Sequence, residues 1–184
     1  GKLFYLYSNR LNLGTVRTEE SVFPSFAPHD ISVLDYLTGA SACRIEAKGA
    51  KFLQDRVYDS TLVQLEYPGN VHAHIYVSWL HPYKQQLLVV AGSKGMLSFD
   101  DASDGKEIGF YNKRIDFENG FPVKVEAPDE IIPYEKKMPL QEELRYFVEH
   151  LDSTIGINSG EAGYEVVKVL ETVQQIIESN GQQE

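Results

Sequence analysis

Alternation of apolar and polar side chains along residues 71–80 is the feature that most limits how this chain can fold. Successive residues of a strand point to opposite faces of a sheet, so a period of two separates the side chains into two sets. One set is apolar and the other half-polar: Val71, Ala73, Ile75, Val77 and Trp79 against His72, His74, Tyr76 and Ser78. Residues 61–67 also form a predicted strand, and residues 68–70 (PGN) predict the turn between the two.

Strand-like segments dominate the first two thirds of the chain, and helix-like segments dominate its end. Further strands are predicted at residues 2–8, 42–47, 87–90, 95–99 and 108–115. Residues 122–135 carry prolines and acidic residues and predict a loop with one short extended piece. The order predicts an α+β fold, in which a large, mostly antiparallel sheet carries its helices on one face. A length of 184 residues suits a single domain over residues 1–184 with one sizeable core.

Two helices are predicted near the C-terminus. Pro139 occupies a favoured first-turn position of the first one. Its apolar stripe consists of Leu140, Leu144, Phe147, Val148 and Leu151. Asn158 and Glu161 have the spacing of a capping box for the second helix. The polar residues from Ser179 onward predict a frayed tail.

A shorter helix is predicted just after residue 29, and it brings a histidine to its first turn. Asp30 is the candidate N-cap, apolar residues recur at helical spacing after it, and Gly39 stands where a left-handed C-cap belongs. His29 lies at the head of this helix. From these residues alone two interpretations stay open for His29, proton transfer in catalysis or a histidine that merely caps the helix.

Six motifs follow one another along the chain. They are residues 8–14 (SNRLNLG), 26–32 (FAPHDIS), 77–82 (VSWLHP), 90–97 (VAGSKGML), 139–147 (PLQEELRYF) and 159–167 (SGEAGYEVV). Together they resemble the C-terminal domain of the Gfo/Idh/MocA oxidoreductases, and the first two resemble the nucleotide-sugar branch that oxidises UDP-N-acetylglucosaminuronate at C3. The resemblance implies a GAPDH-like C-terminal domain whose open sheet face pairs subunits into a homodimer or tetramer.

The same resemblance implies a catalytic role for His29. In the family a histidine at the head of this helix faces the substrate, often in a D-x-x-x-H pattern, and Ser25 stands where the aspartate would be. His29 would act as general base on the hydroxyl of the sugar carbon that loses hydride. The implied substrate ligands are Asn9, Arg10, Asn12 and Arg17. A guanidinium can bind a carboxylate or a diphosphate in bidentate fashion, and a solvated salt bridge is the alternative for each arginine.

Signatures of the family's nucleotide-binding half are absent from the sequence. No Gly-x-Gly-x-x-Gly follows an N-terminal strand, and no Glu-Lys-Pro occurs. Residues 92–95 (GSKG) lie between two strand-like runs, which favours a hairpin turn over a phosphate loop. We therefore expect a fragment that is inactive alone and whose NAD or NADP is bound mainly by an upstream Rossmann domain. The alternatives are a stand-alone sugar-binding or scaffold module without redox activity, and a simple-sugar dehydrogenase domain of the same superfamily.

The half-polar sheet face permits two interpretations. Tyr5 and Tyr7 join the histidines there, and a face of aromatics and histidines suits a subunit interface better than bare solvent. His72 and His74, two residues apart, could also place two imidazoles on one metal ion. No Asp, Glu or Cys in the same strand completes a three-ligand set, so no metal site is predicted.

Charge and hydropathy exclude other classes of partner. The chain carries 27 acidic and 17 basic side chains and a net charge of −10, without a basic cluster, which argues against nucleic acid and anionic membrane surfaces. No apolar run approaches the ~18 residues of a membrane helix, and the N-terminus lacks the pattern of a signal peptide. We expect a cytoplasmic domain whose ligand is a sugar or nucleotide sugar.

Overall fold

The computed structural model describes residues 1–153, 155–157 and 159–181, which contain ten strands and four helices. The strands are β1 (Leu3–Leu11), β2 (Arg44–Ala50), β3 (Ser60–Tyr67), β4 (Val71–Ser78), β5 (Gln85–Gly92), β6 (Gly95–Asp100), β7 (Ile108–Tyr111), β8 (Lys113–Glu118), β9 (Phe121–Glu126) and β10 (Glu130–Ile132). The helices are α1 (Val22–Phe26), α2 (Pro28–Thr38), α3 (Pro139–Glu149) and α4 (Gly160–Asn180). Within the described residues, no helix is both long and apolar enough to cross a membrane.

Eight of the strands form one sheet, in the order β10-β7-β6-β5-β1-β4-β3-β2. Strands β1 and β4 run parallel, and every other neighbouring pair in this sheet is antiparallel. The prediction of a large, mostly antiparallel sheet in an α+β fold is confirmed. Strand β1 lies at the centre of the sheet, so its C-terminal end is flanked by β4 on one side and β5 on the other.

One face of the sheet carries the helices and the hydrophobic core. The alternation along β4 appears as predicted, with Ile75, Val77 and Trp79 fully buried and His72 exposed. Helices α1, α2 and α4 all pack against this face or against each other. Helix α4 contributes Val173 and other buried residues at helical spacing to the core. The opposite face of the sheet carries Tyr5, Tyr7, His72, His74 and Tyr76.

The prediction of one strand over residues 108–115 is wrong. The strand breaks at Asn112, so that β7 stays in the large sheet while β8 pairs with β9 in a separate two-stranded sheet. Asn119 and Gly120 connect β8 to β9 with φ values of 50° and 84°. Asn-Gly is the dipeptide that best tolerates positive φ at both positions of a tight hairpin. The predicted loop over residues 122–135 is therefore largely strand, because this turn directs the chain back along β8.

Helix α3 begins at Pro139 as predicted, but its apolar stripe is not covered. The five stripe residues keep between 55% and 66% of their surface exposed, and the helix buries none of its residues. An 11-residue helix is marginal in water without tertiary packing. The exposed stripe is therefore a surface that packing against another protein surface would stabilise.

Helix α4 is capped by Ser159, whose Oγ accepts a hydrogen bond from the backbone N–H of Ala162 at 3.2 Å. Asn158, the predicted cap, lies outside the described residues. The helix extends past Ser179 to Asn180, which is further than predicted. Asn180 donates a hydrogen bond from Nδ2 to the carbonyl of Ala47 at 3.3 Å, and this contact ties the helix end to β2. Residues 182–184 also lie outside the described part of the chain.

Candidate active site

A cleft of about 300 Å³ opens where β1 ends, where β5 begins and where α1 meets α2. Its walls are formed by Arg10, Leu11, Asn12, Ser25, Phe26, His29, Lys84 and Gln86. Strands β1 and β5 are antiparallel, so the end of one lies beside the start of the other, and Arg10 is paired with Gln86. The cleft therefore combines residues that are far apart in the sequence, and its lining residues include no carboxylate.

His29 is the second residue of α2 and is exposed in the cleft wall. Pro28 starts the helix, since its fixed φ suits a first helical position and its missing N–H needs no partner there. Gly39 ends the helix in the left-handed conformation, with φ of 69°, as predicted. This short, well-defined helix fixes where the imidazole projects.

The prediction that Asp30 caps α2 is wrong. Ala27 is the N-cap residue, and no side chain caps the helix. The Asp30 carboxylate is instead buried against the sheet, where it accepts a hydrogen bond from Ser8 Oγ at 2.6 Å and one from Arg10 Nε at 2.7 Å. A third bond comes from Arg10 Nη2 at 3.3 Å. An aspartate near the start of a helix looks the same in the sequence whether it caps the helix or forms an ion pair with a neighbouring strand. Only the fold distinguishes these two roles.

This network commits Arg10 to a structural partner. Two of its guanidinium nitrogens are bonded to Asp30, which neutralises its charge and attaches the end of β1 to α2. Asn12 is held at the same end of β1, because its backbone N–H donates to the carbonyl of Ser78 at 3.1 Å. Arg10 and Asn12 both line the cleft beside His29.

Two other residues expected in the site lie elsewhere. Asn9 follows the opposite parity from Arg10 along β1, and its Nδ2 donates to Oε1 of Gln85 at 3.3 Å. Arg17 is exposed and forms a salt bridge with Glu20 at 2.8 Å. Neither side chain is among the residues that line the cleft. For Arg17, the structure matches the alternative of a solvated salt bridge.

Three polar residues of the cleft were not predicted as ligands from the sequence. Lys84 and Gln86 stand at the start of β5, a strand predicted to begin only at residue 87. A prediction that began this strand a few residues earlier and paired it with residues 8–14 would have placed Lys84 and Gln86 beside His29. Ser25 is notable because its Oγ is buried and has no hydrogen-bond partner among the described residues. Buried hydroxyl groups without partners are uncommon, and one in a cleft wall is available to a ligand.

The two histidines of the open sheet face do not form a metal site. His74 stacks on Tyr7 with ring centroids 5.1 Å apart and ring planes 3° apart. Burial lowers the pKa of the His74 ring. The His72 Nε2 atom lies 3.4 Å from Oδ1 of Asn70. Throughout the part of the chain that the structure describes, no group of three His, Cys, Asp or Glu side chains could hold a metal ion.

The described residues do not fit a dinucleotide site. Residues 92–95 form the tight turn between β5 and β6, with Gly92 paired to Gly95, as the sequence predicts. A strand follows this turn, so no helix N-terminus is available there to bind a pyrophosphate. No other glycine-rich strand-to-helix connection occurs among the residues described.

Comparisons with known proteins agree with this fold. Residues 12–98 match the family model of the GFO/IDH/MocA C-terminal domain. UDP-N-acetylglucosamine 3-dehydrogenase GnnA from Acidithiobacillus ferrooxidans superposes with a TM-score of 0.81 at 20% identity, over 97% of this chain and 56% of that one. Aldose-aldose oxidoreductase from Caulobacter crescentus, in complex with glycerol, gives 0.76 at 15% identity, over 98% of this chain and 55% of that one. A search of curated proteins finds no match.

A levoglucosan dehydrogenase, solved with NADH and L-sorbose, has a TM-score of 0.74 at 11% identity, over 97% of this chain and 57% of that one. The chain thus spans slightly more than half the length of the solved structures that it matches. These likenesses and the family model agree on the fold, which is that of a GFO/IDH/MocA C-terminal domain. No Rossmann domain occurs in the described residues.

Proposed function

We propose that this chain is the substrate-binding domain of a GFO/IDH/MocA oxidoreductase that oxidises a sugar hydroxyl with NAD or NADP. The observation that carries the proposal is the cleft in which His29 stands exposed beside the unpartnered hydroxyl of Ser25. A polar cleft with an exposed imidazole suits a polyhydroxylated substrate and a single proton transfer. The match of residues 12–98 to the family model adds independent support.

His29 would take the proton in this reaction. Oxidation of a secondary alcohol removes a hydride from carbon and a proton from oxygen, which leaves a carbonyl group. NAD or NADP, held by a companion domain, would accept the hydride. A neutral imidazole within hydrogen-bond reach of the hydroxyl can accept the proton, and the resulting imidazolium can return it in the reverse direction.

The other cleft residues would orient the sugar. Asn12 and Gln86 carry amides that can both donate and accept hydrogen bonds, as sugar hydroxyls require. Ser25 Oγ would gain the partner that it lacks among the described residues. Arg10 acts through Asp30 as a positioning residue, because its guanidinium already holds β1 against α2.

Two observations support a companion domain. The cleft contains no dinucleotide site in the described residues, while the structures that this chain resembles are nearly twice its length. The apolar stripe of α3 is exposed, and an amphipathic helix gains most of its stability by burying such a face. An upstream Rossmann domain packed on α3 would cover the stripe and bring NAD or NADP to the cleft.

We further propose that the open sheet face pairs two copies of the chain, as a homodimer or a tetramer. That face exposes Tyr5, Leu62 and Met96. The Tyr7–His74 stack makes part of it flat and aromatic. Aromatic residues are enriched at subunit interfaces, where they bury large areas at low entropic cost.

The substrate we propose is a UDP-sugar uronate. The motifs at residues 8–14 and 26–32 support the nucleotide-sugar branch, and GnnA is a UDP-sugar dehydrogenase by name. A simple sugar is the alternative, which the names of the other two relatives favour.

The test uses the native protein, captured from its source with an antibody against this chain. Its mass is measured, and NAD and NADP reduction is followed with a UDP-sugar uronate, UDP-N-acetylglucosamine and simple sugars. We expect a mass near twice that of this chain and sugar-dependent reduction, whereas the 184-residue chain alone gives none. A mass equal to this chain, together with no reduction by the native protein, would refute the proposal in favour of a binding module.

A further inference from the structure

The geometry points to Lys84 as the binding group for an anionic substituent of the sugar ligand, either a carboxylate or a phosphate. This inference rests on the proposed function for the sugar itself. Sequence reasoning gave the role to Arg10 and Arg17, but the first already has a carboxylate partner and the second lies outside the cleft. Arg10 is bonded to Asp30 through two nitrogens, and Arg17 pairs with Glu20 outside the cleft.

Unlike either arginine, Lys84 both lies in the cleft and has no ion-pair partner among the described residues. It is exposed, it lines the same cleft as His29, and no ion pair between described residues includes it. No carboxylate lines the cleft to neutralise its charge. In a chain with a net charge of −10, a cation in a cleft without acidic residues is a local exception that favours anions.

The cleft also shows an unmet hydrogen-bonding need. Ser25 Oγ is buried without a partner in the described residues, and a buried hydroxyl without a partner destabilises the fold until it is satisfied. Gln86, whose amide also lines the cleft, is the second residue of β5, and Lys84 immediately precedes that strand. A ligand that offers hydroxyls to Ser25 and Gln86 and a negative charge to Lys84 would satisfy the three groups together.

The ammonium group does not choose between the two anions. A lysine binds carboxylate or phosphate as a point charge, whereas a guanidinium adds bidentate geometry. The carboxylate of a uronate and the phosphates of a nucleotide are therefore both sources of the charge that Lys84 would bind. Ligands that carry only one of these groups separate the two sources.

The experiment is a calorimetric titration of the native protein with glucuronate, UDP and glucose. Two variants are compared, Lys84→Gln and Lys94→Gln. Lys94 is a matched control because it is also an exposed lysine, located in the turn at the other end of β5. Circular dichroism checks that both variants are folded, which is expected because both side chains are exposed.

We expect Lys84→Gln to weaken binding of glucuronate or of UDP by about tenfold, the equivalent of about 1.4 kcal/mol. Binding of glucose should stay unchanged, and Lys94→Gln should behave as the unsubstituted chain. An effect on glucuronate alone identifies a carboxylate subsite, and an effect on UDP alone identifies a phosphate subsite. The inference is overturned if neither anion binds, if Lys84→Gln has no effect, or if Lys94→Gln weakens binding equally.

These results are separable from the test of the proposed function. Loss of anion binding in Lys84→Gln would stand even if the native protein reduced neither NAD nor NADP, and the chain would then be an anionic-sugar binding module. Conversely, sugar-dependent reduction by the native protein together with unchanged binding in Lys84→Gln would overturn only the anion subsite.

Discussion

Replacing Asp30 by alanine should destabilise the chain far more than breaking an exposed salt bridge of similar length. Asp30→Ala removes the acceptor of three hydrogen bonds, one from Ser8 and two from Arg10. The Arg10 side chain is only 21% exposed, and the substitution removes the carboxylate that balances its charge. The substitution also removes the hydrogen-bond acceptor of the buried Ser8 hydroxyl. Glu20→Ala breaks the Arg17–Glu20 pair, whose side chains are 57% and 37% exposed.

The burial of the two pairs determines the expected magnitudes. Removing one partner of a buried ion pair costs about 3–5 kcal/mol. Because water still reaches part of Arg10, we expect the lower end, a loss of about 3 kcal/mol in the free energy of unfolding. For a domain of this size that loss lowers Tm by about 6–12 °C. Glu20→Ala should cost no more than about 1 kcal/mol, since exposed ion pairs contribute little.

Urea and thermal unfolding, followed by circular dichroism, measure both losses. The Arg10→Ala and Arg10→Ala/Asp30→Ala variants complete a double-mutant cycle, for which we expect a coupling free energy of about 1–3 kcal/mol. If Asp30→Ala costs no more than Glu20→Ala, the network does not hold β1 against α2 and this reasoning is wrong.

Two further predictions concern buried groups of the core. Thr61 is fully buried, and its Oγ1 has no hydrogen-bond partner among the described residues. Thr61→Val should therefore raise the free energy of unfolding, measured in urea, by about 1 kcal/mol, whereas Thr61→Ser should lower it. Burial raises the pKa of Asp59, but hydrogen bonds from the amides of Phe52 and Leu53 and from the Trp79 indole outweigh it and lower the pKa. The unfolding free energy should therefore fall as the pH drops below about 5 and through the lowered pKa of the folded state, and should fall less in Asp59→Asn.

The sign of the Asp59 effect follows from its lowered pKa. A carboxyl group whose pKa is lower in the folded state stabilises the fold above its unfolded pKa, and that contribution disappears as the pH falls through the folded value. Equal pH dependence in Asp59→Asn and the unsubstituted chain would contradict the assignment. A loss of stability in Thr61→Val would mean that the Thr61 hydroxyl has a partner after all.

Local sequence patterns predicted the faces of the sheet and the position of His29. Burial alternates with a period of two along β4, and this period is visible in the sequence without knowledge of any neighbour. Pro28 and Gly39 likewise delimit α2 through their own backbone preferences, so His29 appears at the head of the helix as expected.

Features that depend on strand register could not be predicted in this way. Lys84 reaches the cleft because β5 begins at Gln85 and pairs antiparallel with β1, and neither fact is local to residue 84. Asp30 looks like a helix cap until Arg10 and Ser8 are brought opposite it. The stripe of α3 was predicted correctly as a pattern, but a pattern does not reveal whether a partner covers it.

The central claim is that His29 takes the proton of a sugar hydroxyl in an oxidoreductase. The most direct measurement is kcat for sugar-dependent NAD or NADP reduction by the native protein with His29→Ala. His72→Ala serves as the control, because His72 is exposed on the opposite face of the sheet. A general base contributes about 10²–10⁴ to the rate, so we expect a fall of at least about a hundredfold for His29→Ala alone. A fall of less than about tenfold would contradict the account.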